Sequence, residues 1–261
     1  MKRTLIGAIP FDLPDEIEAA VSGARVWDSS CSPEARVYYI ERDGGLYLKI
    51  SESGSLRREA ELTSYFYKKA LGPELISYVS GERDFMLSAR MPGEDCTHAD
   101  HLKEPERLSD LLAVSLRGLH EADFSDCPVQ NRTAEYIETV EKRYKEGIFD
   151  PSYLLPSLGK MTADEAYGYF SALAPELGSR VLLHGDYCLP NIMLNGWRLS
   201  GFIDLGCGGV GDRHIDLFWG AWTLRYNLGT DRYRERFFDA YGRDAVNTEL
   251  IGAISAAECF G

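Results

Sequence analysis

The chain changes character at Met91-Pro92-Gly93, and a fold has to accommodate two stretches built on different periods. Before the break, ARVWDSS, ARVYYIER and LYLKI read as short strands between Arg25 and Ile50, with Asp43-Gly44-Gly45 as the turn of a hairpin. From Leu56 to Ala70 the period becomes helical, since Glu59, Leu62 and Phe66 share one face, and Gly72-Pro73 stops the run. Two more strand-like runs follow, LISYVS and DFMLSA. After the break, RLSDLLAVSLRGLHEAD spaces its leucines as a helix does, and only VLLH, NIMLN and GFIDLG interrupt with strand-like runs. The pattern predicts an α+β chain in two lobes: a small β-sheet lobe with one helix over residues 1–91, a hinge near 90–93, and a larger helical lobe over 92–261. Ligand clefts favour such lobe boundaries.

Composition narrows the partners. At 261 residues and 44% apolar content the chain has enough material for a core. Lysine and arginine total 28 against 41 acidic residues, and the net charge of -13 disfavours nucleic acid and anionic membranes while attracting cations. Six cysteines at 31, 96, 127, 188, 207 and 259 show no C-x-x-C spacing, so reduced thiols in a cytoplasm are expected. The opening MKRTLIGAIPF has too short an apolar run for a signal peptide, and no stretch reaches the length of a membrane span. A soluble monomer or weak dimer is the expectation.

The chemistry concentrates in VLLHGDYCLPNIMLNGWRLSGFIDLG. It sets His184-Gly185-Asp186 and Asn191 in a loop between two strand-like runs, with Asp204-x-Gly206 after the next. Each of these residues alone is ordinary turn material. Together they match what phosphoryl transfer requires: an acceptor for the attacking hydroxyl's proton and hard oxygen ligands for magnesium. Asp186 fits the first role, Asn191 and Asp204 the second, and Gly206 is expected to permit a sharp exit. Upstream, Lys49 closes the strand LYLKI, and Glu59 follows ten residues later on the helix. A lysine on a half-buried strand can grip phosphates when a glutamate orients it, although Glu61 is equally well placed.

These motifs resemble the aminoglycoside phosphotransferases, above all the 3′-phosphotransferases (kanamycin kinases) of the protein-kinase-like fold. HGDYCLPNIM, SGFIDLG, the DRHID segment and LRGLHEADFSDCP carry the likeness, which extends over nearly the whole chain. The resemblance implies ATP as phosphate donor, with GTP open, and Mg2+ as cofactor. It implies Asp186 as base, Asn191 and Asp204 as metal ligands, and Lys49 with Glu59 on the nucleotide. It also implies Tyr47 stacked on adenine, Ser32-Pro33 in a phosphate-covering loop, Arg90-Met91 as the hinge backbone, and Asp216 as a brace for the catalytic loop. A cationic aminoglycoside is the implied small-molecule partner, with Glu258 and Phe260 as its contacts.

The likeness weakens where the acceptor would be chosen. Carboxylates should face an aminoglycoside's ammonium groups. The tail here reads Ala257-Glu258-Cys259-Phe260-Gly261, with one acid where the family usually has a pair, and Gly261 one residue beyond. Cys207 stands where the family commonly has arginine, and Trp222, Tyr226 and Asn227 replace an arginine and acids. Trp219 and Trp222 read equally well as core or as binding surface. Two acceptor readings therefore stand, an aminoglycoside or another hydroxylated metabolite or antibiotic, beside a non-catalytic, kinase-shaped binding protein. His98-x-x-His101 lacks a third ligand and reads as a surface pair, and Cys188, without a positioned base, reads as packing.

Overall fold

The computed structural model describes residues 3–31 and 35–261. In order, the first part of the chain forms β1 (Thr4–Ile6), α1 (Asp15–Val21), β2 (Arg25–Asp28), β3 (Arg36–Glu41), β4 (Leu46–Glu52), α2 (Arg57–Lys68), β5 (Leu75–Ser80), β6 (Arg83–Ala89) and β7 (Glu94–Asp95). There follow α3 (Ala99–Leu102), α4 (Pro105–His120), α5 (Arg132–Lys145), α6 (Ala163–Leu173), β8 (Val181–Leu183), β9 (Ile192–Asn195), β10 (Arg198–Phe202), β11 (Gly209–Gly211), α7 (His214–Leu228), α8 (Arg234–Gly242) and α9 (Thr248–Glu258). They make two compact units, Met1–Glu94 with Met193–Gly206, and Asp95–Ile192 with Cys207–Gly261.

The first unit is built on a six-stranded antiparallel sheet in the order β1-β2-β3-β4-β6-β5. Alternation sorts its strands into two faces. Tyr38, Ile40, Leu46, Leu48, Ile50, Phe85 and Leu87 form an apolar layer, and Ile17 of α1 closes over it. Tyr47 and Lys49 point the other way, beside Ser88 and Met86 of β6. Helix α2 packs on that side through Leu56, Ala60 and Met86, and it buries Glu59, Leu62 and Phe66. Buried Asp84 ties down the start of α2, accepting hydrogen bonds from the amides of Gly54 (2.9 Å) and Leu56 (2.8 Å) and from Tyr78 and Ser80.

Two features lie outside the sequence reading. Helix α1 is a second helix in this unit, and its seven residues are too few to declare a period. The β9–β10 hairpin belongs with the first unit rather than with the residues around it in sequence. Its contacts explain the assignment: Phe202 donates its amide to Leu71 O at 2.7 Å, and its ring meets Phe66 edge-on. Gly93 runs so close to the hairpin that a Cβ there would lie 2.0 Å from Leu194 O. A boundary drawn at residue 91 or 92 follows the sequence, whereas the packing returns to the first unit for 193–206.

The second unit is helical around the short β8–β11 pair, all of whose residues are buried. Helix α9, capped by Asn247 at the amides of Glu249 and Leu250, is buried from Leu250 to Glu258. Gly220 of α7 admits the Phe237 ring, which a Cβ would strike at 2.5 Å. None of the described helices is long and apolar enough to cross a membrane.

Candidate active site

In the first unit three charged side chains meet. Lys49 Nζ donates to Glu59 Oε2 at 2.7 Å and to Asp204 Oδ1 at 3.0 Å. Lys49 reaches this position because the period of two aims it away from Leu48 and Ile50, and Glu59 because it lies on the inner face of α2. Glu61, the rival on sequence spacing, is exposed and 3.8 Å from Arg57. The three side chains differ in exposure: 20% for Lys49, 8% for Glu59 and 52% for Asp204, so Asp204 alone offers most of its carboxylate to solvent. Burial opposes the Lys49 charge, but Glu59 and Asp204 outweigh it and hold the ammonium's pKa above its ordinary value. Burial, with some help from Asp204, pushes the Glu59 carboxyl up against the pull of Lys49.

The backbone at this site corrects one expectation. The left-handed residue is Asp204 itself, at φ 59°, and Gly206 makes no such turn. Gly206 passes close to Glu59 instead, with a Cβ there 3.6 Å from the Glu59 Cβ.

In the second unit the loop after β8 is held by backbone bonds to one buried acid. Asp216, fully buried on α7, accepts from His184 N at 2.8 Å and Gly185 N at 2.7 Å, and His120 Nε2 lies 3.2 Å away. Burial keeps the His120 pKa below its usual range despite that acid, and its other nitrogen is 2.7 Å from Tyr241 Oη. At Gly185, φ is 83° and a Cβ would sit 1.9 Å from Cys207 O, so no larger residue fits this crossing. Beyond it, Asp186 N donates to His184 Nδ1, while Asn191 Nδ2 donates to Asp186 Oδ2 at 2.8 Å and to Asp186 O at 3.1 Å. Asp186 and Asn191 thus come together as their spacing predicts. With its Nδ2 committed, Asn191 has Oδ1 as its acceptor for a cation.

The remaining sequence candidates fall variously. Tyr47 pairs with Tyr39 across the sheet, rings 5.4 Å apart, and its hydroxyl accepts from Arg3. Arg90 donates its amide to Gly45 O and its guanidinium to Gly93 O, and Met91 lies against Gly201. Ser32 and Pro33 lie outside the described residues. Glu258 is buried and accepts from Tyr136 Oη at 2.9 Å and from the Trp219 side chain. Burial lifts its carboxyl to about 7, against those two donors and with the Asp186 charge adding to the rise. Phe260 is fully buried, with the rings of Tyr144, Phe149 and Tyr167 against it.

His101 is not a surface residue: it is buried, with Nδ1 3.0 Å from Asp95 O, and only His98 is exposed. Cys188 is buried, and burial raises its thiol well above the usual range, as a packing role requires. Among the described residues no cysteine forms a disulfide. Sequence reasoning missed Thr223, whose hydroxyl accepts from Leu189 N at 3.1 Å, and Tyr136, which holds Glu258; both contacts join distant segments and leave no local signal.

Residues 33–250 match the phosphotransferase enzyme family. The chain is 47% identical over 249 residues to a protein of Lactococcus lactis subsp. lactis named "probable aminoglycoside 3′-phosphotransferase", covering 95% of each. It is 31% identical over 221 residues to the aminoglycoside 3′-phosphotransferase of Niallia circulans, covering 82% of this chain and 84% of that one. Among solved structures, an aminoglycoside 3′-phosphotransferase of type VIII superposes with a TM-score of 0.79 over 94% of this chain and 97% of its own, at 22% identity. A Streptomyces rimosus aminoglycoside phosphotransferase, in complex with ADP and streptomycin, superposes at 0.76 over 94% and 95%, at 20% identity. At such identities the solved structures speak for the fold, and the sequence matches carry the family. The chain belongs to the phosphotransferase enzyme family, within its aminoglycoside phosphotransferase branch.

Proposed function

We propose that the protein is an ATP-dependent aminoglycoside 3′-phosphotransferase whose product is an inactivated antibiotic, working in the cytoplasm where ATP is supplied. The observation that carries the reading is the pairing of Asp186 with Asn191 on a loop whose two preceding amides are fixed by Asp216. Asn191 Nδ2 fixes the Asp186 carboxylate, which accepts the proton of the acceptor hydroxyl as the phosphoryl group transfers. Lys49, oriented by Glu59, holds the nucleotide phosphates. Tyr47 offers its ring to the adenine, and the Arg90-Met91 backbone its edge.

Asn191, through its Oδ1, and Asp204, through its carboxylate, would be the residues to hold magnesium. The donor chemistry fits: an amide oxygen and a half-exposed carboxylate are both hard oxygen ligands. Magnesium characteristically takes one or two carboxylates and completes its shell with phosphates and water. When bound, it neutralises charge on the transferring phosphate.

Purified protein with Mg-ATP, and in parallel Mg-GTP, is expected to phosphorylate kanamycin and neomycin at the 3′ hydroxyl, as read by product mass and NMR. Absence of transfer to either drug sinks the substrate assignment. The aromatic residues on α7 favour a second reading, a kinase of the same mechanism for another hydroxylated antibiotic or metabolite, and a wider acceptor panel separates the two.

A further inference from the structure

Helix α7 places Trp219, Trp222 and Tyr226 at i, i+3 and i+7, so their rings fall on one stripe. Trp222 stacks on Tyr226 with centroids 4.9 Å apart and planes at 12°, and it lies 5.6 Å from Tyr153 at 28°. Trp219 meets both Tyr153 and Trp222 edge-on, at 5.8 and 5.4 Å. The four rings form one contacting cluster, in which Trp222 is stacked against Tyr226 and Tyr153 while Trp219 meets it edge-on. A core cluster would be buried; here Trp219 and Trp222 are half-buried, and Tyr226 is 72% exposed.

This surface is fastened to the reacting loop. Thr223, next to Trp222, holds the amide of Leu189 between Asp186 and Asn191. The Trp219 side chain donates to Glu258, and the charges of Asp150, Glu258 and Asp186 all act on Tyr153. Aromatic faces bordered by carboxylates suit a ring with one C–H face and several ammonium groups.

We propose that the cluster of Tyr153, Trp219, Trp222 and Tyr226 forms a wall against which the aminated ring of the acceptor packs, with exposed Tyr226 offering it a ring face and its ammonium groups shared between aromatic rings and neighbouring carboxylates. The proposal deepens the aminoglycoside phosphotransferase reading and rests on it. In this chain the acceptor is gripped by ring faces as well as by acids, and Glu258 acts as a positioning residue that fixes the Trp219 indole.

The test uses the whole enzyme with kanamycin and neomycin as probes. Tyr226→Ala and Trp222→Ala are expected to raise the acceptor KM about tenfold while kcat changes by less than about threefold. Tyr226→Phe, which keeps the ring, restores the wild-type KM. Because Tyr226 is exposed, its replacement leaves folding intact, and it decides the matter if Trp222→Ala does not fold. Unchanged KM values in both alanine variants overturn the wall. So does a dimer that Tyr226→Ala converts to monomer without altering KM, which would make the surface a contact between copies. Calorimetric titration of the same drugs separates this proposal from the enzymatic one. A wild type that turns over neither drug but binds them, with binding weakened in Tyr226→Ala, loses the function and keeps the wall; equal binding in both, or none, removes the wall.

Discussion

In the first unit Asp204 is held by charge: the Lys49 ammonium stands 3.0 Å away and is itself steadied by Glu59. In the second unit Asp186 is held by neutral groups, the Asn191 amide beside it and a loop whose preceding backbone N–H groups are spent on buried Asp216. A charged cluster can exchange partners when phosphates and a cation arrive, since the lysine can leave one oxyanion for another at little cost. A backbone-clamped loop cannot, and it keeps Asp186, the proposed base, in one place. The contrast suits the roles proposed for these residues in phosphoryl transfer, accommodating a highly charged donor and presenting a base at fixed geometry.

Asp186→Ala strikes the fixed side hardest, and kcat should fall by about 10³-fold with an unchanged Tm. Full turnover in that variant would remove the base from the mechanism. Gly185→Ala tests the clamp itself: the new Cβ meets Cys207 O, the loop must shift, and activity should drop about a hundredfold. The same change should cost about 1–3 kcal/mol of stability. Wild-type kinetics in Gly185→Ala would mean that the loop is as adaptable as the lysine cluster. On the charged side, Lys49→Met should raise the nucleotide KM about tenfold and leave the acceptor KM where it was; the reverse pattern would exchange the tasks assigned to the two units.

The smallest expected effect is a pH dependence of stability. Glu258 titrates at about 7 in the fold against an ordinary 4.5, with Tyr136, Trp219, Arg132 and Asp186 around it. Below the ordinary value both folded and unfolded chains carry the proton, and the native state has its full stability. As pH rises from about 4.5 to 7 the unfolded chain ionises first, so stability falls by up to about 3 kcal/mol and then levels off. Glu258→Gln should remove that slope, flattening the difference in Tm between pH 5 and pH 8. Parallel Tm curves for variant and wild type would show that Glu258 ionises in the fold as freely as in the unfolded chain.

Much of this was legible in the sequence, for local reasons. The Asp43-Gly44-Gly45 turn appears with all three residues at positive φ, and Glu59, Leu62 and Phe66 share the buried face of α2. The Asp186–Asn191 pairing follows from a five-residue separation in one loop. Long-range contacts were the hidden part. The β9–β10 hairpin joins the first unit through Leu71, which meets Phe202, and Gly93, which meets Leu194, both more than a hundred residues upstream of their partners, and no pattern within 193–206 announces that. His101 reads as a surface residue until its ring is seen against the Asp95 carbonyl. Phe260 reads as a substrate contact by family likeness, whereas its neighbours are the aromatic rings of α5, α6 and the loop after α5.

Asp204 sits in a left-handed backbone conformation that glycine adopts freely and aspartate tolerates at some cost. The substitution that best relaxes this turn, Asp204→Gly, is also one that deletes the carboxylate beside Lys49. With Asp204 as the proposed metal ligand, folding and catalysis pull the sequence in opposite directions at this position, so screening for heat resistance alone would steer the chain toward a sturdier and less active protein.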